Sequence, residues 1–586
     1  MSISRLHAFL TSPLDKTPRS RVIFWFSLSM VFAVIYAGMA LHRAFEGSGV
    51  IQDDARQHIF WMQRFLDPEL FPNDLIADYF QSVAPAGYKL VYFIATFLGI
   101  HPLVFCRIVP SFLGIISTPF AFGISVEILP VPIAGFVGAL LMNQIIWLKD
   151  DVASGTPRAF IYPIFLAFIY YVLRRNIWGV AISIGLTGLF YPQYVFVGLG
   201  ILILRLFAWK EGRIRFSANS KELKIFGVSL AVAFVVMLIY ALQTLEFGPA
   251  MNRAEALQSL EFFENGRNPF FEENLFDFWF NSRRSGMFPK SLFTPATQCL
   301  ALLFPVLFLF RPAFPLLDRI KPGIWVMFQL LISSVIMFLL AHAFLFKLHL
   351  PSRYTGISFR IVIAAITVVA FTVILDALLN WIEVNKSQQT SEKSELFPRN
   401  VRKIVAGGLI GVLTISLLFY PSFVPFFPLV KYEQADRPEL YEFFQQQPKD
   451  ALVASVSGEI NQLPTFAQRS ILVGREYMIS YHTGYYKQMN QRTTGLIQAH
   501  YSPNLEELQA FIQKYGIDLF LIELYAFVPE YFSFNDWMYE FPEGKRAYQF
   551  LKTGEFPALA KTINKCSIYT AEEWFILNAN CILKLE

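Results

Sequence analysis

Apolar runs of roughly 20 residues recur along this chain from about residue 22 to about residue 421, the length of helix that crosses a hydrocarbon layer about 30 Å thick. Inside lipid the backbone must satisfy its own polar groups, so repeated runs of this length commit the chain to helices. Of the 586 residues, 55% are hydrophobic, 62 are Phe and only 16% are charged, against about 25% charged in soluble domains. The net charge of +5 is what Lys/Arg-rich cytoplasmic loops supply. It calls for no nucleic-acid partner. No zinc-type Cys/His spacing and no Walker or Rossmann glycine pattern is present.

Charge orients the runs. Residues 1–21 carry Arg5, Lys16, Arg19 and Arg21 and read as a cytoplasmic N-terminus. A signal peptide also starts basic and turns apolar, but the first run is long and many others follow, so 22–41 reads as a retained helix. Residues 44–102 then form a long outer loop. Its apolar stretch 88–98 is short for a span and reads as interfacial, because counting it as a crossing would send the basic loop 210–224 outside. Later spans are expected at 103–125, 131–148, 159–173, 177–190, 192–208, 224–244, 293–310, 323–346, 357–382 and 403–421, about 11 crossings in all. A second long outer loop falls at 245–292, and a polar cytoplasmic linker at 385–395.

From residue 426 or so the composition becomes that of a soluble domain. Strand-like runs at 451–456, 470–473 and 517–522 alternate with helical periodicity at 439–447 and 504–515. The fold class expected is a polytopic α-helical membrane protein of about 11 transmembrane helices with a C-terminal extracytoplasmic α/β domain. Its parts are 1–21, 22–425 and 426–586. Cys106 and Cys299 lie in apolar runs and behave as small hydrophobes. Cys566 and Cys581 are either two buried thiols or, in an oxidising compartment, a disulfide. A disulfide would close a loop of about 15 residues, worth roughly 3 kcal/mol.

The chemically dense segments all fall on the outer side. The first loop holds IQDDARQH, with Asp53, Asp54 and His58. Adjacent carboxylates repel, which raises one pKa unless a cation intervenes, and a carboxylate at a membrane surface can act as general base. His58 shares a helical face with Asp54. The second outer loop reads KDDVASGTPR, with Asp150 and Asp151 beside Arg158, whose planar fork suits phosphate oxygens. A third group, KLHLPSRYTG, carries Lys347, His349 and Arg353. A basic cluster on the outer face runs against the positive-inside tendency and suits an anionic substrate. Arg283 and Arg284 are a less specific version of the same signal. Asp53, Asp54 and Asp151 also have the oxygen chemistry for a divalent cation, Mg²⁺ or Mn²⁺, so a metal stays an open alternative.

In the order of these segments the chain resembles the GT-C superfamily of polytopic glycosyltransferases, which includes oligosaccharyltransferases, protein O-mannosyltransferases and the aminoarabinose transferase of lipid A. The likeness runs from the acidic pair after the first span, through PVPIAGFVGALL at 130–141 and the second acidic loop, to the C-terminal domain. It implies transfer of a sugar from a polyprenyl-phosphate donor to a glycan, lipid or protein acceptor on the extracytoplasmic face; with no eukaryotic signal in the chain, a bacterial plasma membrane is the expected location. Asp53 or Asp54 would match the first-loop catalytic acid, Asp150 or Asp151 the second-loop acid, and Arg353 the arginine that holds the lipid-linked phosphate. Two departures stand out: the second-loop acids are adjacent rather than spaced, and no WWDYG-like motif is present. Two rival readings are a transporter or flippase of lipid-linked intermediates and a non-catalytic membrane assembly protein.

Overall fold

A computed structural model describes every residue of the chain except 1–2, 48, 217–218, 243–245, 384–398 and 572. The polar linker expected at 385–395 lies outside the described residues. Six described helices are long and apolar enough to cross a membrane: Arg19–Ala44, Pro102–Ile128, Ser220–Leu242, Pro322–Ala343, Ser352–Glu383 and Asn400–Leu418. This corrects the expectation of about 11 crossings. The other apolar runs form shorter helices: Pro132–Trp147, Pro157–Leu173, Ile177–Phe190, Pro192–Leu204 and Ala296–Leu309.

The physical reason is that hydropathy reports exclusion from water, not contact with lipid. All 16 residues of Pro132–Trp147 are buried within the protein, and the helix packs against Arg19–Ala44, Pro102–Ile128 and Ser352–Glu383. At 1.5 Å per residue it reaches about 24 Å, short of the hydrocarbon thickness. Other runs break locally. The run expected at 192–208 opens as a turn of 3₁₀ helix, is α-helical only over Val195–Leu204, and continues into an antiparallel hairpin of Phe207–Lys210 with Arg213–Phe216. The run expected at 293–310 is 3₁₀ over Ala296–Leu303 before the helix Phe304–Leu309.

Ser352–Glu383, 32 residues long, is the most buried of the six long helices. Ser220–Leu242 and Asn400–Leu418 stand at the outside with apolar side chains uncovered; Phe234 is 65% and Ile404 73% exposed. Apolar surface on this scale requires lipid around it. The N-terminal helix Ile3–Thr11 packs on the far end of Ser352–Glu383, where His7 contacts Asp376 at 2.8 Å and Glu383 at 3.1 Å.

The C-terminal part forms a five-stranded sheet in the order Ser470–Ile471, Leu452–Ala454, Leu519–Glu523, Trp574–Asn578, Ser567–Ala571. The first three strands are parallel, with Val453 opposite both Ile471 and Leu519, and the last two are antiparallel. Helix Leu505–Tyr515 ends at Gly516, whose φ of 65° gives the left-handed cap that turns the chain into the central strand. A short antiparallel pair, Val50–Gln52 with Tyr432–Gln434, ties the first outer loop to the segment that follows the last long helix.

Cys566 and Cys581 are disulfide-bonded with Cα atoms 5.5 Å apart, which joins the helix Ala558–Cys566 to Ala579–Ile582. Cys106 is a buried free thiol and Cys299 an exposed one. Maleimide labelling of the unfolded chain should therefore add two tags before reduction and four after. Cys566→Ser should lower the stability of the C-terminal part by about 3 kcal/mol in thermal unfolding.

Candidate active site

The helix Asp53–Ile59 starts where the Val50–Gln52 strand ends. Gln52 caps it, its side chain accepting from the Ala55 amide at 2.9 Å. The helix turns its two leading acids in different directions. Asp53 faces Lys431, with Nζ at 2.7 Å, and Arg56 at 3.2 Å, and so reinforces the tie between loop and C-terminal segment. Asp54 faces a cavity of 540 Å³.

That cavity lies where several apolar helices end. Tyr88, Arg353 and Arg158 lie in the first turns of Ala86–Phe97, Ser352–Glu383 and Pro157–Leu173, and Tyr191 and Tyr240 stand near the ends of two more helices. The C-terminal part closes it with Ile479, Tyr481 and His482. Among the described residues its lining carries six guanidinium or ammonium groups, from Arg158, Arg267, Arg283, Arg284, Lys347 and Arg353, and one carboxylate, Asp54.

Arg158 organises the centre. Its Nη2 donates to Asp54, and its Nε lies 3.1 Å from Asp151 Oδ1. Asp151 in turn accepts from Arg360 Nη1 at 3.1 Å. Asp150 accepts from the Lys431 backbone amide at 2.8 Å. Asp151 thus reaches the cavity through Arg158, and neither Asp150 nor Asp151 lines it. His58, Lys347 and His349 do line it. The loop with Lys347, His349 and Arg353 is anchored by a small apolar cluster of Met251, Phe262, Phe270, Leu345, Phe346 and Leu350, in which Phe262 and Phe346 stack at 4.7 Å. His349 has φ 61°, a left-handed backbone state of the kind that collects at functional sites.

Electrostatics follow from this crowding. Burial alone would raise the Asp54 carboxyl, but Arg158 first, then His58, Arg353 and Arg283, hold it at about 2. Asp151 is also lowered: burial is outweighed by Arg158, Arg360 and Arg353. Burial pushes His58 down to about 4, with Asp54 opposing and Arg158 and Arg267 reinforcing. Burial, with Arg353 next, pushes His349 down to about 3. Both imidazoles are neutral at pH 7.

For a divalent cation these carboxylates do not fit. The Arg158 guanidinium donates to Asp54 and forms an ion pair with Asp151, and Asp53 is engaged by Lys431 and Arg56. Among the described residues no group of three or more His, Cys, Asp or Glu is placed to hold a metal ion.

Sequence reasoning had not singled out Gln57, Tyr79, Arg267, Tyr481 or His482. Arg267 donates to Glu476 at 2.6 Å and to Gln57 at 3.2 Å. Tyr79 stacks on Tyr485 at 3.7 Å and bonds His482 at 2.9 Å. A cation in an outer loop otherwise rich in acid, as Arg267 is in FFENGRNPF, was the available signal.

No protein-family model matches the chain, and no curated protein does. Among solved structures, the chain is similar to the archaeal oligosaccharyltransferase AglB from Archaeoglobus fulgidus, in complex with an inhibitory peptide and a dolichol-phosphate, at 12% identity and TM-score 0.49 over 92% of this chain and 72% of that one. It is similar to ArnT from Cupriavidus metallidurans bound to undecaprenyl phosphate at 10% identity and TM-score 0.44, over 96% and 98% of the two chains. It is similar to the arabinofuranosyltransferase AftD from Mycobacteria at 10% identity and TM-score 0.45, over 88% of this chain and 37% of that one.

The depressed histidines make a prediction about pH. An unfolded histidine titrates near 6.5, so below that value the unfolded chain takes up a proton that His58 refuses until pH approaches 4. Stability therefore falls as pH drops from 6.5 towards 4. Asp54 stays charged over that range and loses its contribution only below the ordinary carboxylate value of 3.8, as pH falls towards 2. The unfolding midpoint should drop between pH 7 and pH 5, and by less in His58→Gln.

Proposed function

We propose that the protein is a membrane glycosyltransferase that moves a sugar from a polyprenyl-phosphate carrier to an acceptor on the extracytoplasmic face. The observation that carries this reading is the cavity itself: six cationic groups around one carboxylate, at the mouth of an apolar helix bundle. Cations concentrated in a partly dry site bind a phosphate strongly. Apolar surface beside them suits the carrier's hydrocarbon, and the helix Ser220–Leu242, whose Tyr240 lines the cavity and whose Phe234 is uncovered, offers it. A transporter of lipid-linked intermediates needs polar groups through the bilayer midplane; the cations described here gather at one end of the bundle.

The donor phosphate lies against Arg353, Arg283 and Arg158, with Lys347 at the rim. The acceptor's hydroxyl or amine approaches the anomeric carbon from the opposite side. Its proton passes to the Asp54 carboxylate, its oxygen or nitrogen bonds to the anomeric carbon, and the bond from that carbon to the phosphate oxygen breaks. The electron pair leaves with the phosphate, whose new charge the arginines stabilise. Configuration inverts.

Asp54 held at about 2 by Arg158 is a weak base. A bound phosphate competes for Arg158 and so raises the carboxyl towards a useful range. Donor binding thereby prepares the base, and the free enzyme stays unreactive. Asp53, tied to Lys431, holds the loop in place.

With purified protein in nanodiscs, Arg353→Ala should weaken binding of undecaprenyl phosphate by about tenfold or more. Asp54→Asn should leave that binding in place and cut sugar transfer by about 10²- to 10⁴-fold. Asp53→Asn should stay within about threefold of the parent, since a partly exposed ion pair contributes little. Undiminished transfer by Asp54→Asn would remove the basis of the assignment.

A further inference from the structure

The C-terminal sheet contains a second cavity, of 390 Å³. It sits beyond the carboxyl ends of the three parallel strands. The chain enters the middle strand, Leu452–Ala454, then pairs Ser470–Ile471 on one side and Leu519–Glu523 on the other. Strand order reverses there, so the connecting loops part in opposite directions and leave a crevice, the place where open α/β sheets bind ligands. The loop 455–458, the loop 473–476 and Glu523 wall it.

These walls are pre-set. Ser455 Oγ donates to the Leu521 carbonyl at 2.6 Å and accepts from the Ser457 amide at 3.0 Å. Asn461 Oδ1 accepts from the Glu476 amide at 3.0 Å. Trp537 is fixed by its indole N–H, which donates to Glu261 at 2.9 Å.

The chemistry differs from that of the first cavity. Among the described residues the lining of the second carries two carboxylates, Glu476 and Glu523, and one guanidinium, Arg475, so a phosphate is not favoured. Carboxylates are strong acceptors for hydroxyl donors. Trp537, buried, and Phe534, 88% exposed, also line the second cavity. Acceptors at one wall and flat apolar rings at another suit a ring that has hydroxyls on its edge and C–H groups on its face.

The two cavities share a wall one ion pair thick. Glu476 lines the second, and its Oε2 accepts from Arg267 and from Gln57, both at 2.6 Å. Arg267 and Gln57 line the first, alongside Asp54.

We propose that the second cavity binds a neutral saccharide, and that this saccharide is the acceptor, presented across the Arg267–Glu476 pair to the Asp54 cavity. Its role as acceptor rests on the transferase reading; the binding does not. The test uses the full chain in detergent on an immobilised array of neutral oligosaccharides, with sulfated and sialylated ones as the contrast, followed by titration of whatever is retained. Neutral glycans should be retained over acidic ones. Glu523→Gln and Phe534→Ala should each weaken them by about tenfold, through loss of a charged acceptor or of a stacking face. Phe534 is exposed, so its removal leaves folding intact, and an unchanged unfolding midpoint checks this. Arg353→Ala should not alter glycan binding. Retention of no neutral glycan, or retention unmoved by both pocket variants, overturns the proposal. Glycan binding that depends on the pocket, together with undiminished transfer by Asp54→Asn, upholds this site and removes the mechanism proposed for the first.

Discussion

One arginine carries the arrangement of the first cavity. Arg158 bonds to Asp54 of the first outer loop and contacts Asp151 of the second, while Asp151 is held in turn by Arg360 of the longest helix. Three segments remote in sequence are thereby linked through one row of ion pairs, Asp54–Arg158–Asp151–Arg360. Coulomb attraction in a partly dry site is several times what it is in water, and removal of one partner from such a pair leaves the others uncompensated. The same ion pairs explain why Asp54 is so acidic and why the site does not suit a divalent cation.

Around that centre the fold sorts charge. Cations face the first cavity and carboxylates the second, and the Arg267–Glu476 pair marks the border. The C-terminal part is held against the bundle by backbone pairing of Val50–Gln52 with Tyr432–Gln434 and by Asp53 with Lys431. Asp53 and Asp54 therefore do opposite work although they are neighbours. Successive residues of a helix point about 100° apart, so one acid faces the seam and the other the cavity.

Much of the candidate site was legible because its signals are local in sequence. Asp54, His58, Arg158, Lys347, His349 and Arg353 lie in short polar motifs beside apolar runs, where charge is conspicuous. The three parallel strands of the C-terminal part and the helices Pro438–Gln445 and Leu505–Tyr515 were legible from periodicity, while the strands Ser567–Ala571 and Trp574–Asn578 were not. The crossing count was not, because Pro132–Trp147 is apolar for contact with other helices and reads the same as a helix in lipid. Nor was the division of labour between Asp53 and Asp54, which depends on where Lys431 and Arg158 come to rest.

By itself the sequence determined that the chain belongs in a membrane, that its dense polar motifs are grouped in a few loops, and that its last part alternates strands and helices. These follow from composition and periodicity, which act over neighbouring residues. The tertiary structure alone decided which apolar helices are long enough to cross, which aspartate meets the cavity, and that Arg267 and Glu476 stand between two cavities. Those outcomes depend on contacts between segments tens to hundreds of residues apart, and no local pattern records them.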